Sequence, residues 1–371
     1  MRSILLRIVH STQSAHHVSA SFRYSGGRSH LSVPPHVSEL AAGTWLGLVA
    51  CTLFMSSLSH AQSRPSVPPP TPFDIPMLEL KSSSERQLTM PDLNWYGNPQ
   101  CDTKGNAYVH ASADVNDGVV MKLDVSRDDA VIYQWKDKPR DMPFMEFSVS
   151  PAGDVAMLGQ TNKGLWVVSF SSDGRESSRS RLDLAAQFWP LRFAVFPDGS
   201  FLLSGYYTED APNNLEGTAF TGIFEPSGQL RYRLPDKTEK VVPKEARRAT
   251  NEASAIVGPD GNVYLLRPHK VEVVSPIGDI VRELPFSKLE PKAVATQLWI
   301  AGNRIALQFL TARTDGKFAP TFLVLDSSTA VPVGMYKPSQ DLGFLLCFTG
   351  NGFLLDRPRQ GRITLVKADL P

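Results

Sequence analysis

The sequence predicts an all-β fold of six four-stranded antiparallel units set around a common axis. Three observations predict it. One turn pattern between two apolar runs recurs six times at near-regular spacing, most copies carry a second turn, and no long amphipathic helical pattern interrupts them.

The clearest copy is Ala194–Leu203, where Pro-Asp-Gly separates two apolar runs. Pro presets φ for the first turn position and Gly accepts a positive φ without steric cost. Similar turns stand at Thr103-Lys104-Gly105-Asn106, Pro151-Ala152-Gly153-Asp154, Pro259-Asp260-Gly261-Asn262 and Gly350-Asn351-Gly352. In the weakest copy, Gly302-Asn303-Arg304, Asn303 is set at the glycine position, because Asn is the next most tolerant of the left-handed region. The key positions are then 105, 153, 199, 261, 303 and 352, separated by 48, 46, 62, 42 and 49 residues.

Flanking columns support the turns. Four residues earlier stand Cys101, Val149, Val195, Val257, Trp299 and Phe348; two residues later stand Ala107, Val155, Phe201, Val263, Ile305 and Leu354. Apolar residues in both columns suit strands of a sheet buried on both faces. Second hairpins are marked at Val167–Arg175, Ile223–Gln229 and Val273–Asp279, and more weakly at Met121–Asp129 and Phe322–Thr329. Two hairpins give four strands, and four-stranded units of this length are propeller blades. Six copies predict a six-bladed β-propeller over residues 77–371. The last unit lacks a fourth strand after Ile363–Val366, so Met77–Leu88 is expected to supply it and close the ring, leaving no open sheet edge.

Ahead of the propeller, residues 1–61 read as a leader. Residues 1–38 hold no Asp or Glu, and a start codon further in is an equal alternative. Leu40–Leu58 is uncharged and mostly apolar, and Ser59-His60-Ala61 follows with small residues two apart. The favoured reading is a signal peptide cleaved after Ala61. The alternatives are an uncleaved anchor and a lipoprotein box at Leu48–Cys51. All three export the domain to a periplasmic or extracellular location. Residues 62–76 carry six prolines and form an extended, semi-rigid linker.

Bulk charge argues against nucleic acid as a partner. Lys and Arg number 38 against 37 Asp and Glu, a net charge of +1, so no global field draws the chain to polyanions. Contact with a membrane is expected only through an uncleaved N-terminal segment.

In an up-and-down blade the first and third hairpins share one end. The tight glycine turns therefore share one face of the ring, and the longer connections share the other, where binding residues usually sit. The longest connections are Tyr206–Thr221 and Pro235–Ala253. Candidate ligand-binding residues precede the first strands on that face: Tyr96, Asn98, Phe144, Glu146, Trp189, Arg192, Asn251, Glu252 and Gln297. Glu146 and Arg192 occupy the same column in neighbouring blades; a structural ion pair is favoured over a functional acid–base pair. Tyr206, Tyr207, Glu209, Asp210 and Glu216 are partner-contacting candidates on the same face.

Of eight His, only His110 and His269 follow residue 61, which argues against a His-rich metal site. Serine-hydrolase, zinc-protease and phosphate-loop motifs do not occur. No metal or other cofactor is expected. A Ca²⁺ site of Asp, Glu and Asn oxygens at the channel mouth is the alternative, with Asp114, Asn116 and Asp117 at alternating spacing, although a polar loop is favoured there. Cys101 and Cys347 fall in the first and last units, which a closed ring makes neighbours. Cys101 sits in an apolar column and Cys347 one place out of register, so two buried free thiols are expected rather than a disulfide.

The Pro-Asp-Gly turns recurring with a second Gly hairpin resemble six-bladed propellers of the NHL and gluconolactonase-like superfamily, over about Met77 to Pro371. The resemblance implies a propeller fold and, for gluconolactonase-like enzymes, a calcium or similar ion held by Glu, Asn and Asp at the channel. Asn94-Trp95-Tyr96-Gly97-Asn98-Pro99 stands where those enzymes carry Glu, Gly-Pro and an aromatic, and the paired His of streptogramin-lyase-like relatives are absent. The functional expectation is an exported, non-catalytic propeller that binds a protein, peptide or glycan on its loop face. A metal-dependent hydrolase or lactonase with a channel-mouth site is the alternative.

Overall fold

Alternating apolar residues around each turn fold the chain into twenty-six described strands. The computed structural model describes residues 75–371, apart from 90–93, 113–118, 125–129, 137–143, 162–163, 185–187, 209–216, 235–239, 242–254, 288, 290–292, 313–317, 340–341 and 360–361. The expected leader and most of the expected linker lie outside the described residues.

Two strands, β1 (Met77–Leu80) and β2 (Ser84–Thr89), precede the blades. Blade 1 is β3 (Asn94–Cys101), β4 (Ala107–Ser112), β5 (Val119–Leu123) and β6 (Ala130–Gln134). Blade 2 is β7 (Phe144–Val149), β8 (Val155–Thr161), β9 (Gly164–Phe170) and β10 (Glu176–Arg181). Blade 3 is β11 (Phe188–Val195), β12 (Phe201–Thr208), β13 (Gly217–Phe224) and β14 (Leu230–Arg233), with β15 (Lys240–Val241) paired to the far end of β13. Blade 4 is β16 (Ala255–Val257), β17 (Val263–Arg267), β18 (Lys270–Val274) and β19 (Ile280–Pro285). Blade 5 is β20 (Val294–Ala301), β21 (Arg304–Ala312), β22 (Phe318–Asp326) and β23 (Pro332–Pro338). Blade 6 is β24 (Phe344–Phe348), β25 (Gly352–Arg359), β26 (Arg362–Asp369) and, from the N-terminal side, β2. The fold is thus the expected six-bladed β-propeller.

Closure divides the expected N-terminal segment between two blades. β2 pairs antiparallel with β26, from Ser84 opposite Lys367 to Thr89 opposite Arg362, and completes blade 6. β1 does not join it; it runs parallel to β23 and makes a fifth, outermost strand on blade 5.

Successive strand side chains alternate between faces, so each blade presents one set to the preceding blade and the other to the next. Ala107, Val155, Phe201, Val263 and Ile305 all pack toward the preceding blade, in separate apolar clusters. The sixth member of that column is Phe353, not Leu354. Likewise Ile300, not Trp299, faces back from blade 5, while Trp299 faces blade 6. Both slips come from the turns. Gly302, with φ +58°, carries the left-handed backbone that Asn303 was expected to carry, and it opens a two-residue loop between the paired Ala301 and Arg304. In blade 6 the left-handed residue is Gly350 rather than Gly352.

Forward-facing residues of the innermost strands bind one blade to the next. Gln100 Nε2 donates to the Phe147 carbonyl at 2.7 Å, and Gln100 Oε1 accepts from the Val149 N–H at 2.8 Å. Ser148 Oγ accepts from the Val195 N–H at 3.1 Å. Replacing Gln100 by Ala strands a buried N–H and a buried carbonyl, so Gln100→Ala is expected to lower stability by about 2 kcal/mol, read as a shift of the urea midpoint.

Between blades 6 and 1 the corresponding link is covalent: Cys101 and Cys347 form a disulfide with Cα atoms 5.6 Å apart. This corrects the expectation of free thiols. The one-place offset is the condition for the bond. Cys101 faces back from blade 1, so its partner must lie on the opposite, forward-facing set of blade 6, where Cys347 pairs across from Leu354.

The two faces of the ring are less unequal than expected. The middle hairpins of blades 2 and 4 span only residues 162–163 and 268–269. The expected loop Tyr206–Thr221 is largely strand, with Tyr206 opposite Ala219 and Thr208 opposite Gly217, and only 209–216 connects them.

Candidate functional site

The innermost strands start at the face opposite the tight turns, and those with resolved register there are bulged. The register shifts between Phe144 and Glu146, Pro190 and Arg192, Ala295 and Gln297, Leu345 and Cys347, and by two extra residues between Tyr96 and Gln100. A bulge bends its strand and re-aims the side chains beside it. Three of these shifts bring Glu146, Arg192 and Gln297 to equivalent places, opposite Leu158, Ser204 and Gln308 of the second strands. Arg192 is buried, at 7% exposure, and Glu146 and Gln297 are half-buried. The structure therefore lines up an acid, a guanidinium and an amide on blades 2, 3 and 5.

Their surroundings are polar and ordered. Ser204 and Thr221 hydroxyls bond at 2.9 Å beside Arg192's strand. Gln308 Nε2 donates to Thr296 Oγ1 at 3.1 Å, fixing the bulged residue next to Gln297. Near the axis, β7 and β16, two blades apart, approach within 8 Å between Cα atoms.

Trp189 is the second residue of β11 and is 46% exposed, and Phe344 begins β24 and is 63% exposed. On the sheet face opposite Trp189, Phe188, Tyr207 and Phe220 form edge-on pairs with centroids 5.2 to 5.6 Å apart. Burial raises the Tyr207 phenol above its ordinary range, and Tyr206 and Tyr207 both belong to β12 rather than to a loop.

Of the remaining candidates, Tyr96 and Asn98 belong to β3 and Phe144 opens β7; their side chains lie outside the described ones. Asn251, Glu252, Asp114, Asn116, Asp117, Glu209, Asp210 and Glu216 lie outside the described residues. Among the described residues no three His, Cys, Asp or Glu side chains converge.

Two charged sites on this face carry no distinguishing signal in the sequence. At the blade 4 hairpin, Arg267 Nε meets Glu272 Oε2 at 2.8 Å, and Lys270 Nζ meets Glu272 Oε1 at 2.9 Å. Burial works to raise the Glu272 pKa, but the two cations outweigh it and hold the carboxyl below its usual range. The other is Asp356 in β25, fully buried, with neither carboxyl oxygen hydrogen-bonded among the described residues. Burial alone lifts its pKa from 3.8 to about 7. Asp356 follows the run Gly-Phe-Leu-Leu and reads in sequence as a polar strand end.

No family model matches the chain, and no curated protein matches it. Among solved structures it is similar to the WD40 domain of Pan2 from Neurospora crassa, at 13% identity over 80% of this chain and 98% of that one, TM-score 0.45. It is similar to a gluconolactonase from Xanthomonas campestris at 14% identity over 57% and 68%, TM-score 0.32. A chain of a mitotic checkpoint complex matches at 10% identity over 87% and 99%, TM-score 0.42. The class that the fold defines is the six-bladed β-propeller.

Proposed function

We propose that the chain is an exported, non-catalytic propeller that binds a protein, peptide or glycan partner on the face where its innermost strands begin. The observation that carries the reading is the exposure of two large aromatics, Trp189 and Phe344, near the heads of innermost strands of blades 3 and 6. Exposed aromatic faces with polar groups beside them suit partner recognition, because they give large contact area at low entropic cost. Export is supported by the Cys101–Cys347 disulfide, a bond that persists in oxidising compartments.

Peptide and glycan arrays, with a cell-envelope extract as a third source, test the reading. Trp189→Ala and Phe344→Ala are each expected to weaken captured binding about tenfold or more, while stability stays within about 0.5 kcal/mol. Loss of stability without loss of binding overturns it. A calcium-dependent rise in melting temperature, reversed by chelator, shifts the reading to the metal-dependent hydrolase or lactonase.

A further inference from the structure

Asp356 sits at the seam between blades 6 and 1, in the blade whose fourth strand comes from a non-consecutive part of the chain. Its strand, β25, lies between β24 and β26, and β2 zips onto β26 from the other end of the sequence. Its side chain shares the forward-facing set of β25 with Leu354, which packs in the apolar cluster between blades 6 and 1. That cluster presents Ala107, Val109 and Ala111 from β4, Met121 from β5, and Ile363 and Leu365 from β26. None of these can pair with a carboxylate. The same row across blade 6 runs Phe344, Asp356, Leu365, Arg86. Arg86 of β2 is thus the cation of that row, separated from Asp356 by β26, while Lys367 of β26 lies on the same face diagonally across from Asp356 and pairs with Asp369 at 3.1 Å. Arg357 and Glu85 pair on the opposite face of the sheet, toward blade 5. The thiols of Cys101 and Cys347 are joined and do not titrate.

A buried carboxylate without partners is strongly unfavourable, so the packed seam requires the neutral acid. We propose that Asp356 is a pH-sensitive latch on ring closure: neutral, it lets blades 6 and 1 pack; ionised, it draws water into the seam and loosens β26 and β2. The disulfide on the innermost strands keeps the inner edge shut, so the seam opens outward from the axis toward the closing strand.

The sign follows from the raised pKa. Below about pH 4 the carboxyl is protonated in the folded and unfolded chain alike, and it changes nothing. Between about 4 and 7 the unfolded chain releases a proton that the fold retains, so stability falls as pH rises, and above 7 the full loss is present.

The test compares the full chain with Asp356→Asn, by melting temperature and by hydrogen exchange corrected for intrinsic rates, from pH 5 to 8. The melting temperature of the unsubstituted chain is expected to fall relative to Asp356→Asn as pH rises. Exchange is expected to quicken in β2, β26 and β25 ahead of the other blades. A constant difference between the two proteins, or quickening spread evenly over the ring, overturns the proposal. If Asp356→Asn does not fold, exchange in the unsubstituted chain decides alone: pH-dependent opening confined to the seam supports the latch, and its absence there overturns it.

Discussion

Removing the Cys101–Cys347 bond is expected to lower stability by about 5 kcal/mol, because it closes a loop of 246 residues in the unfolded chain. For a domain of this size that corresponds to a fall in melting temperature of roughly 10 °C. Cys101→Ala with Cys347→Ala is the direct comparison, and reductant should reproduce its effect. Thiol titration in denaturant gives an independent reading: two further thiols should appear only after reduction. A melting temperature indifferent to reductant would sink the prediction and restore the free-thiol reading. Polar bonds link the inner strands of blades 1, 2 and 3, so blades 6 and 1 should separate first once the bridge is gone.

Gly228→Ala is expected to be among the more damaging single small substitutions. Gly228 sits in the turn between β13 and β14 with φ +91°, and an added Cβ would lie 1.9 Å from the Arg181 carbonyl oxygen. That oxygen belongs to the end of blade 2's outer strand, and the next turn is pinned to Gly228 by the Asp183 N–H donating to the Gly228 carbonyl at 2.8 Å. Two blades must shift to admit one methyl group. The left-handed strain contributes about 1–2 kcal/mol and the displaced backbone adds to it, so a total above about 3 kcal/mol is expected. Gly302→Ala is the control: its φ is +58°, but nothing lies within 4 Å of the added Cβ. It should cost about 1 kcal/mol, the strain alone. Equal losses at the two sites, measured by denaturant unfolding, would contradict the packing argument.

Much of the architecture could be read from the sequence, because its signals are local. Glycine turns and the apolar positions beside them lie within ten residues of each other, and they locate all six blades. The errors arose where a local pattern admits two registers. Gly302-Asn303 and Gly350-Asn351-Gly352 each offer more than one residue able to take the turn, and both turns are one residue shorter than in blade 3, with four residues between Ile300 and Ile305 and between Phe348 and Phe353 against five between Val195 and Phe201, which puts Trp299 and Leu354 on the other face. The disulfide was misjudged for a geometric reason: contact between neighbouring blades joins opposite faces, so residues that meet are offset and not aligned. The parallel pairing of β1 with β23 leaves no short-range trace, since its partners lie more than 250 residues apart. For the site, sequence position placed Glu146 and Arg192 in one column, and the structure adds Gln297 through its bulge. Exposure of Trp189 and Phe344, and the isolation of Asp356, depend on what surrounds them in space.

The pairing of β2 with β26 has a consequence for biosynthesis. The Ser83 N–H donates to the Lys367 carbonyl at 2.7 Å, and the chain between them must be made before this bond can form. At ordinary elongation rates that interval is roughly 15–60 s. Throughout it β2 has no partner, and the ring stays an open arc held by contacts between successive blades. Ring closure therefore waits for the synthesis of β26, and a strand made before every blade strand is docked after them.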